Sequence, residues 1–132
     1  MNFRKTFLFA LPIVLLAFAA LPAVAEDGAA ASGPATKVET KKVCMVNDAL
    51  FQKDQIPVEV EGKTYYGCCE MCKARLAQDA SARSSVDPVT GATVDKATAV
   101  PGALADGSVL YFESEESLAE YNRKAGAESE QG

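Results

Sequence analysis

The chain has 132 residues, 48% of them hydrophobic, a formal net charge of −5, four Cys, and neither His nor Trp. An acidic chain without a basic cluster is a poor partner for nucleic acid or anionic lipid, which are bound through grouped Lys and Arg. The missing His removes the usual general base and the commonest metal ligand, so site chemistry must rest on thiols, carboxylates or hydroxyls.

Residues 1–25 have the form of a signal peptide. Arg4 and Lys5 make a short cationic start, an apolar run extends from Phe7 to Ala20, and Ala23-Val24-Ala25 supplies the small residues of a cleavage site. Phe7 to Ala25 also approaches the roughly 20 apolar residues of a spanning helix. Pro22 and the A-x-A pattern ahead of Glu26-Asp27 favour cleavage after Ala25. The implied localisation is periplasmic or secreted, with no membrane attachment once the leader is removed. The leader holds two of the 13 basic residues and none of the 18 acidic ones, so cleavage makes the chain more acidic still. What remains suffices for one small domain or two very small ones.

Residues 26–41, "EDGAAASGPATKVETK", carry Ala, Gly, Ser and Pro with no apolar period, which predicts a flexible linker. In "IPVEVEGKTYYGC", Val58 and Val60 alternate with Glu59 and Glu61. That pattern predicts a hairpin turning at Glu61-Gly62-Lys63 and returning through Thr64 to Tyr66. Gly67 ends the second strand, and "CCEMCKARLAQDA" has helical character, with Cys72 and Leu76 one turn apart and Ala77 and Ala80 extending that face. Asp87-Pro88 and Thr90-Gly91 mark a turn, a strand is expected around Ala97 to Val100, and Asp106-Gly107 turns the chain into the strand "SVLYF". The last element, "ESEESLAEYNRKAG", predicts a helix stopped by Gly126, with acidic residues at its positive end and a disordered tail, 127–132, beyond.

The order of elements suggests one unit written twice, over 42–84 and 85–126. Laying "YYGCCEMCKARL" on "LYFESEESLAEY" puts Cys68 on Glu113 and Cys72 on Ser117, while Cys44 falls near Thr90. One half therefore bears thiols and the other is degenerate. Val109, Leu110, Tyr111, Phe112, Leu118 and Tyr121 suit packing rather than chemistry, as do Tyr65 and Tyr66. Asp87, Glu113 and Glu115 are better explained as a solvated helix start than as ligands of a hard cation.

Cys44, Cys68, Cys69 and Cys72 leave three chemistries open. As metal ligands they would converge from two chain segments, as in small zinc modules, and an all-sulfur site favours Cu(I), Zn(II), Cd(II) or Hg(II). Cys68 and Cys72 form a natural pair, and Cys69 is either a fourth ligand or a spare thiol. As a framework, one bridge from Cys44 to a downstream Cys would close a loop of about 25 residues and stabilise by roughly 3 kcal/mol. As a redox couple, Cys69-Glu70-Met71-Cys72 has C-x-x-C spacing, but no βαβ pattern precedes it.

"VCMVND" followed by "IPVEVEGKTYYGCCEMCKARLA" resembles the TRASH domain and the related YHS domain, in which a knuckle Cys precedes an aromatic strand ending in Cys, three residues and Cys. "VDPVTGATVDKA" with "GSVLYFESEESLAEY" is similar to a YHS unit whose cysteines are replaced. The resemblance implies an α+β protein of two small ββα units related to treble clefs and zinc ribbons, the second lacking cysteines. It implies one soft or borderline metal ion, Zn or Cu, held by Cys44, Cys68 and Cys72 with Cys69 as a possible fourth ligand. The implied work is metal trafficking, buffering or resistance beside a metal-transport or metal-resistance protein of the envelope; with no His, no nucleophile beside a base and no phosphate loop, the residues themselves predict no catalysis. Cys69 stands where the family commonly has Ser, and the second unit has no thiols, so one metal site is expected rather than two.

Overall fold

The structure, a computed structural model, describes residues 33–129, so the expected signal peptide 1–25 and residues 130–132 of the expected tail lie outside the described residues. Among the described residues it is a mixed α+β fold of small antiparallel sheets and two helices. In chain order these are β1 (Thr36–Lys37), a 3-10 turn (Thr40–Lys42), β2 (Val43–Cys44), β3 (Ala49–Leu50), β4 (Ile56–Val60), β5 (Lys63–Gly67) and α1 (Glu70–Gln78). A second 3-10 turn (Ala80–Arg83) leads to β6 (Ser84–Val86), β7 (Thr93–Asp95), β8 (Val100–Ala103), β9 (Val109–Phe112) and α2 (Glu115–Ser129). β2 pairs with β3, β4 with β5 and β6 with β7, while β1, β8 and β9 form a three-stranded sheet.

The β4–β5 hairpin follows its alternating pattern. Val58 stands opposite Tyr65 and both are buried, whereas the neighbouring Glu59 is exposed. The turn residues Glu61 and Gly62 have φ of 52° and 78°. Positive φ at both central residues is what a two-residue turn needs to match the twist of the strands, and it suits Gly far better than Glu. In α1 the buried face is Cys72 and Leu76 alone. Ala77 lies within α1 but off that face, and Ala80 lies beyond its end at Gln78, where the Asp79 carboxylate accepts the Ser81 amide to start the 3-10 turn; both are exposed.

Several expectations are corrected. The stretch expected to be a linker up to residue 41 contributes β1, an edge strand paired with β8, and Ala35 is buried with its amide donating to Asn122 Oδ1 at 2.7 Å. Backbone pairing and one small buried side chain suffice there without any apolar period. The strand expected around Ala97 to Val100 begins only at Val100. Residues 97–99 instead fold around Asp95, whose carboxylate accepts the Ala97 amide and whose carbonyl accepts those of Thr98 and Ala99. The β6–β7 hairpin was expected only as a turn, since its strands are three residues each and mostly polar. α2 continues past Gly126 to Ser129.

Three apolar clusters hold these elements. Met45, Val58, Tyr65, Leu76 and Ala82 pack beneath α1. Ala35, Leu104, Phe112 and Leu118 pack beneath α2, with Leu110 and Tyr121 against them. Between them Val43 meets Val94, Ala103, Val109 and Tyr111, so β2 is buried by strands from the second half of the chain. Backbone bonds cross the same boundary, from Leu50 N to the Gly107 carbonyl and from Val109 N to the Asp48 carbonyl, each 2.8 Å. Gly102 is needed under α2, because a Cβ there would lie 2.9 Å from Phe112 and 3.1 Å from both Ala35 and Leu118.

Candidate metal centre

Two chain segments bring the thiols together. Cys44 ends β2 and opens a tight knuckle, 45–48, that returns through Asp48 at φ 48° to β3. The knuckle is tied to the other segment by the Met45 amide, which donates to the Tyr66 carbonyl of β5 at 2.9 Å. Lys96 supports it from the second half of the chain. Its buried ammonium donates to the Met45 carbonyl at 2.7 Å and to Asp48 Oδ1 at 2.6 Å, and sits 5.0 Å from the centre of the Tyr111 ring.

On the other side, Gly67 ends β5, Cys68 follows, Cys69 is the N-cap of α1 and Cys72 lies in its first turn. Glycine at 67 suits the close meeting of strand and helix: a Cβ there would stand 3.0 Å from Cys72 Cβ and 3.1 Å from the Lys73 amide nitrogen, so a larger residue would have to push the helix start back. Backbone approach, rather than turn formation, is therefore the reason for this glycine.

The sulfurs of Cys44, Cys68 and Cys72 all lie within 4.8 Å of one another. Cys68 and Cys72 are 3.6 Å apart, and Cys69 Sγ lies 3.5 Å from Cys72 Sγ. All four cysteines are free thiols; Cys44 and Cys72 are buried, Cys68 is partly buried and Cys69 is exposed. Asn47 Nδ2 donates to Cys68 Sγ at 3.6 Å. The structure thus brings together three of the four cysteines singled out from sequence, and sets Cys69 outside the mutually close group, at its edge beside Cys72 and Cys68.

Their electrostatics is that of a crowded thiol cluster. Burial pushes the Cys44 thiol up, but the amides of Asn47, Val46 and Cys68 outweigh it and hold Cys44 below an ordinary thiol. Cys68 is raised, first by the neighbouring Cys44 and then by burial. Burial first, then Cys69, Cys68 and Cys44, push Cys72 up to about 12. Cys69 makes no regular capping hydrogen bond, yet the Cys72 amide beside it favours its thiolate and lowers it. Neighbouring thiolates repel, so the cluster cannot fully ionise alone, and a cation supplies the missing charge while displacing protons.

The donor set fits a soft ion. At a metal–sulfur distance of about 2.3 Å, tetrahedral geometry sets ligand sulfurs about 3.8 Å apart. The observed 3.6 Å and the 4.8 Å limit lie on either side of that value. An all-thiolate set selects Zn(II) or Cu(I) over hard cations.

The second half contains a hydrogen-bonded loop with a similar set of amide donors. Asp87 follows Val86 at the end of β6, as Cys44 follows Val43. Its carboxylate is fully buried. Oδ1 accepts the amides of Val89 and Thr90 at 2.7 and 3.2 Å, and Oδ2 accepts the Glu113 amide at 2.8 Å and the Ser117 hydroxyl at 2.6 Å. At Cys44 the corresponding amides are those of Val46, Asn47 and Cys68. Asp87 thus meets loop amides at the same spacing as Cys44 does, while Thr90, near which the sequence comparison laid Cys44, is exposed, its hydroxyl accepting the Ala92 amide. The stretches "VCMVN" and "VDPVT" share both valines, and the loop after Asp87 is the longer of the two. Asp87 is also not part of a solvated helix start. Glu113 and Glu115 are exposed, and Glu115 pairs with Lys37. Gly67 was read from sequence only as the end of a strand, and Lys96 and Asn47 were not singled out, because their roles depend on which backbone or side chain lies opposite.

No protein-family model, characterised protein or solved structure matches the chain.

Proposed function

We propose that this chain is a soft-metal-binding protein, for copper or zinc, that carries or buffers the ion in the bacterial envelope as part of metal trafficking or resistance. The observation that carries the proposal is the convergence of Cys44, Cys68 and Cys72 within 4.8 Å from two separate segments. The knuckle amides on Cys44, the partial exposure of Cys68 and the absence of any carboxylate from the group favour an exchangeable soft cargo. The TRASH and YHS resemblance rests on these same three positions. The fold reading that goes with it is of two tandem units, the first holding metal and the second closed by the Asp87 network in its place. The repeated order of two hairpins and a helix supports it. The leader, residues 1–25, supports export, and the partner is a metal-transport or metal-resistance protein of the envelope. The role is binding, not catalysis.

Native mass spectrometry of the chain purified anaerobically from the periplasm reads metal content and thiol state together. The expected mass is that of the mature protein with one ion, lost in both Cys68→Ser and Cys72→Ser. A metal-free mass lowered by one or two disulfides, with no uptake of zinc or copper after reduction, would overturn the proposal and assign the cysteines to a framework.

A further inference from the structure

Cys69 and Met71 have no part in the three-sulfur group, yet they place two more sulfurs at its edge. Cys69 is exposed and its sulfur lies 3.5 Å from Cys72 Sγ. Met71 is 83% exposed, a costly position for a large apolar side chain. Together with Val46, Asn47, Cys72 and Arg75 they line a surface depression of about 260 Å³. Cys72 belongs both to this depression and to the buried group. A soft ion reaching the inner sulfurs from this side meets Met71 and Cys69 first, and Cys72 is the one ligand common to the outer and inner positions.

We propose that Cys69 is the exchange ligand of the site: it takes the ion from a thiolate-bearing carrier at the surface and passes it inward through Cys72, without being a resident ligand. The proposal rests on the metal-binding function above. In the step, a Cys69 sulfur–metal bond forms as one carrier sulfur–metal bond breaks, and the Cys69 proton passes to the departing carrier thiolate. The ion's oxidation state is unchanged. Repeating the exchange with Cys72 and then Cys44 or Cys68 moves the ion inward and frees Cys69 again. Met71, a thioether without a proton to lose, widens the soft surface at the mouth.

The test uses the full mature chain under anaerobic conditions with Cu(I) supplied as its glutathione complex, transfer being followed by stopped-flow thiolate–Cu(I) absorbance and affinity by competition with a Cu(I) chelator. Cys69→Ser should keep one-to-one binding and an affinity within roughly threefold of the unaltered chain, below the 10- to 100-fold losses that follow removal of groups supporting a metal. Its transfer should slow by about tenfold or more. Met71→Ala should slow transfer by a smaller factor and leave affinity unchanged. A Cys69→Ser affinity loss as large as that of Cys72→Ser would make Cys69 a resident ligand, and an unchanged rate would make it a bystander; either overturns the proposal while leaving the metal site standing. Failure of the unaltered chain to bind Cu(I) or Zn(II) at all would overturn both.

Discussion

Replacing Asp87 by Asn tests whether the second half is held by a charged hub. Asn keeps the shape and one acceptor oxygen, so the amides of Val89 and Thr90 retain their partner. Its amide group then faces the Glu113 amide and the Ser117 hydroxyl, two donors that Oδ2 accepts at 2.8 and 2.6 Å. The hydroxyl can rotate to become an acceptor, but the backbone amide cannot. Hydrogen bonds to a charged group contribute about 1.5–3 kcal/mol each, and stranding a buried donor adds its desolvation cost, so a loss of about 2–4 kcal/mol is expected. Urea unfolding read by circular dichroism measures this directly. The same network sets a pH dependence. Burial raises the Asp87 carboxyl, but the Ser117 hydroxyl and the amides of Glu113, Val89 and Thr90 outweigh it and hold it below the ordinary range. A carboxyl lower in the folded state contributes stability that is full above its unfolded value, about 3.9, and is lost as pH falls through the folded value. Asp87→Asn should therefore flatten the acid limb of the stability curve, though not abolish it, because Asp95 is also held low against its own burial, chiefly by Lys63. A loss under about 0.5 kcal/mol, the size of an ordinary surface change, would refute the argument.

Glu61→Asn should stabilise the β4–β5 hairpin by about 0.5–1 kcal/mol, visible as a higher Tm, because Asn tolerates positive φ better than Glu. Gly102→Ala should cost about 1–3 kcal/mol in denaturant unfolding by forcing Phe112, Leu118 and Ala35 apart. Lys96→Met should cost about 1–3 kcal/mol, since the Met45 carbonyl loses a buried charged donor. The same variant should weaken Zn(II) affinity by about tenfold in a chelator competition, because it loosens the knuckle that presents Cys44. Unchanged affinity there would show that the knuckle holds its shape without Lys96.

The β4–β5 hairpin and the start of α1 were legible because each is encoded locally: alternation at Val58 and Val60, a turn at Glu61-Gly62, and a helix beginning after Gly67. The thiols were legible for the same reason, with three of the four on one short segment. What escaped sequence reasoning is short or non-local. β1 and β6 have too few residues to show a period, and β1 exists because β8 offers it an open edge. Asp87 looked like a turn residue, and its hub role requires Glu113 and Ser117 to be opposite it.

By itself, the sequence determined the acidic charge, the lack of imidazole, the local hairpin and helices, and the supply of sulfur ligands. These are properties of composition and of spacing within a turn or two. Only the tertiary structure decided which sulfurs share a position. Cys44 reaches Cys68 and Cys72 because Met45 is bonded to Tyr66 and Lys96 is clamped beneath the knuckle, and Gly67 lets the strand touch the helix. Cys69 and Cys72 touch through their sulfurs at 3.5 Å, and they differ in burial for a simpler reason. Cys69 caps the helix on its solvent side, whereas Cys72 shares the buried face with Leu76. Spacing supplies the ligands, but their division into an inner group and an outer sulfur follows from which helix face the core covers.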